Sequence, residues 1–199
     1  MATITTEQIK ELRENTGISV MQCKKALEEA EGDMEKAVIL LKKKAGSIAS
    51  KKAERTLKAG IISTYLHNNK KVGVMVELAC ESDFVAKNQE FLDLGYGIAM
   101  HVAAMSPAFL SEDQITDDDR KKVIELFEKE VAEMNKPEDI KKKMLEGKLQ
   151  TYFGEQVLLS QKFIKNPDKS IQDIVNEATQ KIGERIEIIR FVRYEAGKE

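Results

Sequence analysis

The sequence has no tryptophan, and among its 199 residues it has only two cysteines, two histidines and three prolines. Neither Cys23 nor Cys80 belongs to a C-x-x-C pair, and with only His67 and His101 beside them the usual zinc-ligand spacings are excluded. The thiols leave two readings open, a disulfide or two buried free thiols, and a reducing compartment favours the second. No apolar run reaches the roughly 20 residues needed to cross a bilayer. The start, Met1-Ala2-Thr3-Ile4-Thr5, lacks the basic and long apolar regions of a secretion signal. The expected location is the cytoplasm. The formal net charge is -2, so no excess of positive charge draws the whole chain to nucleic acid. With few prolines and 11 glycines, collagen-like and linker-like readings fail. The phosphate loop G-x-x-x-x-G-K-[ST] and the dinucleotide fingerprint G-x-G-x-x-G are both missing. Carboxylates abound, but abundance on helical surfaces is no sign of an acid–base pair.

What is present is helical and apolar by turns. With 42% hydrophobic residues, a chain of this length can bury a substantial core and still carry a small accessory domain. Thr5 with Gln8 spells a capping box for a helix through Ile9 and Leu12 to about Asn15, and Gly17 suits its left-handed close. Ser19 with Gln22 marks a second start, and Cys23, Ala26, Leu27 and Ala30 make one apolar face. Gly32-Asp33 ends that helix and caps a third, whose core positions are Ala37, Val38 and Leu41. The expected module is three short helices within residues 1–45, with a thin core. At about 100° per residue, Met21 lies roughly 160° from Cys23, beside Lys24. It is either a contact surface or a lone surface apolar residue, which needs no explanation.

Residues 46–58 are expected to form a basic linker. In the longer basic run from Lys42 to Lys58, Gly46, Ser47 and Ser50 leave a hinge and a wet-faced helix both open. No aromatic residue interleaves there to stack on bases. The remainder, 59–199, reads as an α+β core. Ile61–Leu66 suits a strand, His67-Asn68-Asn69-Lys70 a turn, and Val72, Val74, Val76, Leu78 and Cys80 alternate as the second strand of an antiparallel hairpin. Phe84, Phe91, Leu94, Ile98, Val102 and Met105 continue at helical spacing to Pro107. A helical pair at about 118–150 carries the stripes Val123, Leu126, Phe127, Val131 and Ile140, Met144, Leu145, Leu149, joined at Asn135-Lys136. Lys165–Asp168 reads as a turn, Ile171, Ile174, Val175 and Ala178 as a helix face, and Ile186–Tyr194 as a third strand joining the hairpin.

The joint from Glu81 to Phe91 is the leading candidate for a working point. Its residues allow two readings. In one, Ser82 or Asp83 caps a helix, Phe84 packs in the first turn and Asn88 faces outward. In the other, Asp83 and Phe84 protrude at a strand-to-helix corner and enter a partner's groove.

These stretches carry a resemblance. The runs Leu12-Arg13-Glu14-Asn15-Thr16-Gly17, Met21-Gln22-Cys23-Lys24-Lys25-Ala26-Leu27-Glu28-Glu29-Ala30 with Gly32-Asp33, and Glu81-Ser82-Asp83-Phe84-Val85-Ala86-Lys87-Asn88 resemble the bacterial elongation factor Ts family. Leu158-Leu159-Ser160-Gln161-Lys162-Phe163, and Ile189-Arg190-Phe191 with Tyr194-Glu195, fit its end, so the likeness spans nearly the full chain. The N-terminal module alone also resembles the ubiquitin-associated three-helix fold. The resemblance implies a guanine-nucleotide exchange factor that binds elongation factor Tu, GDP-bound and nucleotide-free, and promotes GDP release. It implies docking through Arg13, Val20, Met21 and Lys24, and exchange through Ser82, Asp83, Phe84 and Val85 near the partner's magnesium and nucleotide. It implies no bond chemistry, cofactor, metal, membrane or direct nucleic-acid target. Val20 stands where the family often has methionine, giving a shorter apolar contact. Ser82 stands where it usually has threonine, which keeps a capping hydroxyl. Short members are associated with homodimers, for which the hairpin and residues 149–160 are the candidate surfaces.

Overall fold

The computed structural model describes residues 4–132, 134 and 137–197, and begins with α1 (Thr6–Thr16), α2 (Val20–Glu29) and α3 (Met34–Lys52). The capping box is made: the Gln8 N–H donates to Thr5 Oγ1 at 3.2 Å and the Thr5 N–H to Gln8 Oε1 at 3.0 Å. Gly17 closes α1 at φ +68°, with its N–H on Arg13 O at 2.7 Å. α2 starts differently from the expectation. The Ser19 side chain makes no capping bond, and its backbone carbonyl accepts from the Gln22 and Cys23 N–H groups instead. The Gly32 N–H reaches back to Leu27 O at 2.9 Å, a Schellman-type closure, and Asp33 Oδ1 accepts from the Lys36 N–H to begin α3. Leu12, Ile18, Cys23, Ala26, Leu27, Ala30, Ala37 and Leu41 form the module's core.

The third helix runs eight residues past its expected end at 44, through Lys52. The expected linker therefore begins inside a helix, and of 46–58 only 53–58 lies beyond it. Ala37, Leu41 and Ala45 continue a buried i, i+4 row. The Ser50 hydroxyl satisfies itself on Gly46 O at 3.0 Å without ending the ladder. Lys42, Lys43 and Lys51 are exposed, so this part of the basic run is the wet face of a helix.

β1 (Ala59–Leu66), β2 (Val72–Cys80), α4 (Asp83–Ala86) and α5 (Gln89–Met105) follow, then α6 (Asp117–Ala132), α7 (Glu138–Gln156), the short β3 (Lys162–Phe163) and β4 (Asn166–Ser170), α8 (Ile171–Ile182) and β5 (Glu187–Glu195). The antiparallel sheet has the order β1-β2-β5, so the last strand joins the hairpin as expected and the fold is α+β. The Lys58 N–H meets Cys80 O at one end of the hairpin and the His67 N–H meets Val72 O at the other. The chain divides into two compact units. One comprises the residues up to Ser63, Glu77–Gly95 and Gln172–Ile189; the other comprises Thr64–Val76, Tyr96–Ile171 and the residues from Arg190 on. The first unit thus holds more than the N-terminal module.

In the second unit α6 packs on α7. Phe127, Tyr152 and Phe153 meet edge to face, with Arg120 over Phe153 and Lys148 over Phe127. Leu126 and Ile140, assigned to the packed stripes, are exposed. The joint Asn135-Lys136 lies outside the described residues. The turn expected at Lys165–Asp168 is narrower: Ile164-Lys165 turns, and Asn166–Ser170 pairs as β4 with β3. An irregular register and a proline in the strand hid that pair from pattern reading. Val157 and Leu158, inside one candidate dimer surface, are buried core residues of this unit.

Candidate partner-binding site

The strand-to-helix corner is built around a broken helix. Ser82 caps α4, its Oγ accepting the Val85 N–H at 3.4 Å. After four residues the helix stops, and Asn88 restarts it. Its Oδ1 accepts the Glu90 N–H at 2.8 Å, and its carbonyl accepts from Phe91 and Leu92. Asn88 is therefore a capping residue, where the helix-packing reading had it face outward without a role. The break changes where the aromatic residues point. Seven residues apart on one continuous helix, Phe84 and Phe91 would share a face. Instead Phe91 is fully buried and Phe84 is 82% exposed. The reading in which Phe84 packs in the first turn is overturned. Val85, expected among the contact residues, is 4% exposed and anchors the corner from within. Asp83 is exposed beside Phe84.

Beneath this tip lies a set of partners remote in sequence. Glu184 accepts the Ser82 hydroxyl at 2.6 Å on one oxygen and the Ser82 N–H at 3.0 Å on the other. Glu81 accepts the Arg185 N–H at 2.6 Å and the Arg55 guanidinium at 3.2 Å. The Arg185 backbone donor, and after it Arg55, hold the Glu81 carboxyl below its ordinary range against an opposing effect of burial. Arg185 also bonds Arg55 O at 2.6 Å, and Lys52 bonds Gly183 O. Cys80 is a free, buried thiol that donates to Ser82 O at 3.3 Å, and burial pushes its pKa up. Sequence reasoning missed Glu184, Arg185 and Lys52. No local pattern marks partners about a hundred residues apart.

The helical module presents the other expected face. Cys23 points into the core while Met21, on the opposite side of α2, is 65% exposed and Val20 is 46% exposed. Arg13 and Lys24 are exposed, Lys24 lying 3.8 Å from Glu28. The module itself is tied to α8 within the same unit, away from those four side chains. Gln180 donates to Gln22 Oε1 at 2.6 Å. Lys181 crosses Gly17 to reach Glu90 at 2.7 Å, and a Cβ on Gly17 would stand 2.5 Å from the Lys181 chain. The first unit therefore carries both the Arg13, Val20, Met21, Lys24 face and the Ser82, Asp83, Phe84 tip. Among the described residues, no group of three His, Cys, Asp or Glu side chains could hold a metal ion, and no helix is long and apolar enough to cross a membrane.

Comparison with known proteins gives the family. A family model described as "Elongation factor TS" matches residues 2–198. The elongation factor Ts of Thermosipho melanesiensis is 46% identical over 195 residues, covering 98% of this chain and 100% of the relative. That of Desulforamulus reducens is 44% identical over 198 residues, covering 100% and 91%. That of Desulfotalea psychrophila is 45% identical over 194 residues, covering 98% of both. With a match that runs from end to end, the chain belongs to the elongation factor Ts family.

Proposed function

We propose that this protein is a guanine-nucleotide exchange factor that binds elongation factor Tu and promotes release of its GDP, making and breaking no bond. The observation that carries the reading is Phe84, a large apolar side chain left 82% exposed at a corner where Val85 and Ala86 are buried and Ser82 and Asn88 are hydrogen-bonded. Burying such a ring is worth about 1.5–3 kcal/mol, a gain the folded chain forgoes and a partner groove would recover. A translational GTPase holds GDP through Mg²⁺ and the backbone donors of its phosphate loop. Phe84 wedges between the GTPase's helices and shifts the groups that support those ligands. Asp83 meets polar groups of the partner rather than the ion. The Arg13, Val20, Met21 and Lys24 face docks the module on the GTPase domain. Factor and nucleotide then weaken each other's binding by the same free energy.

The protein acts in the cytoplasm as a homodimer. Leu66, Met75, Val192 and Tyr194 support that assembly: they leave an exposed apolar patch on strands of the second unit. Stopped-flow release of a fluorescent GDP from elongation factor Tu tests the central reading. Intact protein accelerates release, and Phe84→Ala and Asp83→Ala weaken that acceleration. No acceleration by intact protein sinks the proposal. Acceleration indifferent to both substitutions moves its centre to the helical module.

A further inference from the structure

We propose that Glu184 is a positioning residue for exchange, holding the base of the Asp83-Phe84 tip in one orientation so that docking presents the ring at a set angle. The inference rests on the exchange reading above. α4 has four residues, too few to stabilise itself as a helix. Phe84, being exposed, draws little orientation from packing. Its direction is therefore set from below. Glu184 lies in the turn between α8 and β5, 102 residues from Ser82 in the chain, and uses both carboxylate oxygens on that one residue. One oxygen fixes the Ser82 rotamer through the hydroxyl, and the other fixes the backbone plane through the N–H. The same hydroxyl oxygen accepts the Val85 N–H, so side-chain rotamer and helix start are set together.

A carboxylate only accepts, which matches two donors converging from one residue. Charge-assisted bonds of this kind are about twice as strong as neutral ones. The neighbouring pair repeats the link in the opposite sense, Glu81 accepting from the Arg185 N–H at 2.6 Å. Two adjacent cross-links, 82 to 184 and 81 to 185, stop the corner from pivoting about a single bond. Positioning groups matter because a shift of about 1 Å can cost roughly 100-fold in rate.

The test follows fluorescent GDP release from elongation factor Tu over a range of factor concentrations, for the intact protein, E184A, E184Q, S82A, F84A and the F84A/E184A pair. Folding of each is checked by near-ultraviolet circular dichroism. E184A is expected to lower the plateau rate about 10- to 100-fold. Its half-saturating concentration, set by the docking face, stays within about twofold. E184Q keeps an acceptor for the Ser82 N–H and recovers most of the plateau. S82A loses the hydroxyl link and the Val85 cap but keeps the N–H link to Glu184, and shows a smaller plateau loss. The double variant is no slower than F84A, because both act through the same ring. A normal plateau in E184A beside a lowered one in F84A overturns this inference alone. So does a loss that multiplies with F84A, or a shift confined to half-saturation. A normal plateau in F84A overturns the tip reading and this inference with it.

Discussion

Phe84 and His101 show how a single residue departs from what its type suggests. An exposed phenylalanine contributes little to folding. Phe84→Ala should therefore leave the unfolding free energy unchanged within about 0.5 kcal/mol, while it slows GDP release. Urea titration beside the release assay checks both halves. His101 is the opposite case, a polar ring fully buried in the second unit. Its Nδ1 accepts the Ile164 N–H at 3.3 Å, so Nε2 carries the proton and donates to Gln161 Oε1 at 2.8 Å. Protonating Nδ1 would set two donors against each other. Burial holds this imidazole below its ordinary 6.5, partly offset by the Gln161 bond. The unfolded chain thus takes up the proton at higher pH than the folded one. Stability from the neutral ring is complete above pH 6.5 and is lost as pH falls from there toward the lowered native value. The urea midpoint should decline between pH 7.5 and 5.5, and His101→Leu should flatten that decline. The Glu81 contribution is separable, because its lowered pKa confines that loss to below 4.5.

At the scale of elements, the helical module has a thin core, a cluster of eight small to medium buried side chains among the described residues. Leu27 is fully buried there. Leu27→Ala should destabilise by about 2–5 kcal/mol and weaken docking as the module loosens. A chevron or equilibrium urea series gives the first value, and half-saturation of GDP release gives the second. The module's caps were legible because Thr5, Gln8, Gly17 and Asp33 act on neighbours within five residues. The α4–α5 break was not. Helical spacing from Phe84 to Met105 runs through it undisturbed, while the Asn88 N–H turns back to Val85 O and Asn88 Oδ1 accepts the Glu90 N–H to start the second helix. The same limit applies to α3, where a serine and a glycine that weaken a helix were overridden by the buried row ending at Ala45.

For the whole molecule, the dimer proposed above has the exposed sheet patch as its interface. Met75→Glu with Tyr194→Glu puts charge into that apolar surface. The pair should convert the dimer to a monomer by sedimentation velocity, with a melting temperature that no longer rises with protein concentration. A monomeric parent at micromolar concentration removes the dimer from the reading.

What the sequence determined by itself was local and periodic. It specified the three N-terminal helices with the caps of the first and third, the hairpin alternation, the helical pair and the family-bearing runs around Met21 and Asp83. Each rests on residues a few positions apart, within reach of one turn or one pleat. Tertiary structure decided what no such window contains. It turned Phe84 out while burying Phe91, buried Val85, and brought Glu184 and Arg185 under Ser82 and Glu81. Those contacts join residues about a hundred apart. Their free energy comes from part-buried, mutually satisfied polar groups, and those contacts exist only once the strands and α8 have been brought together.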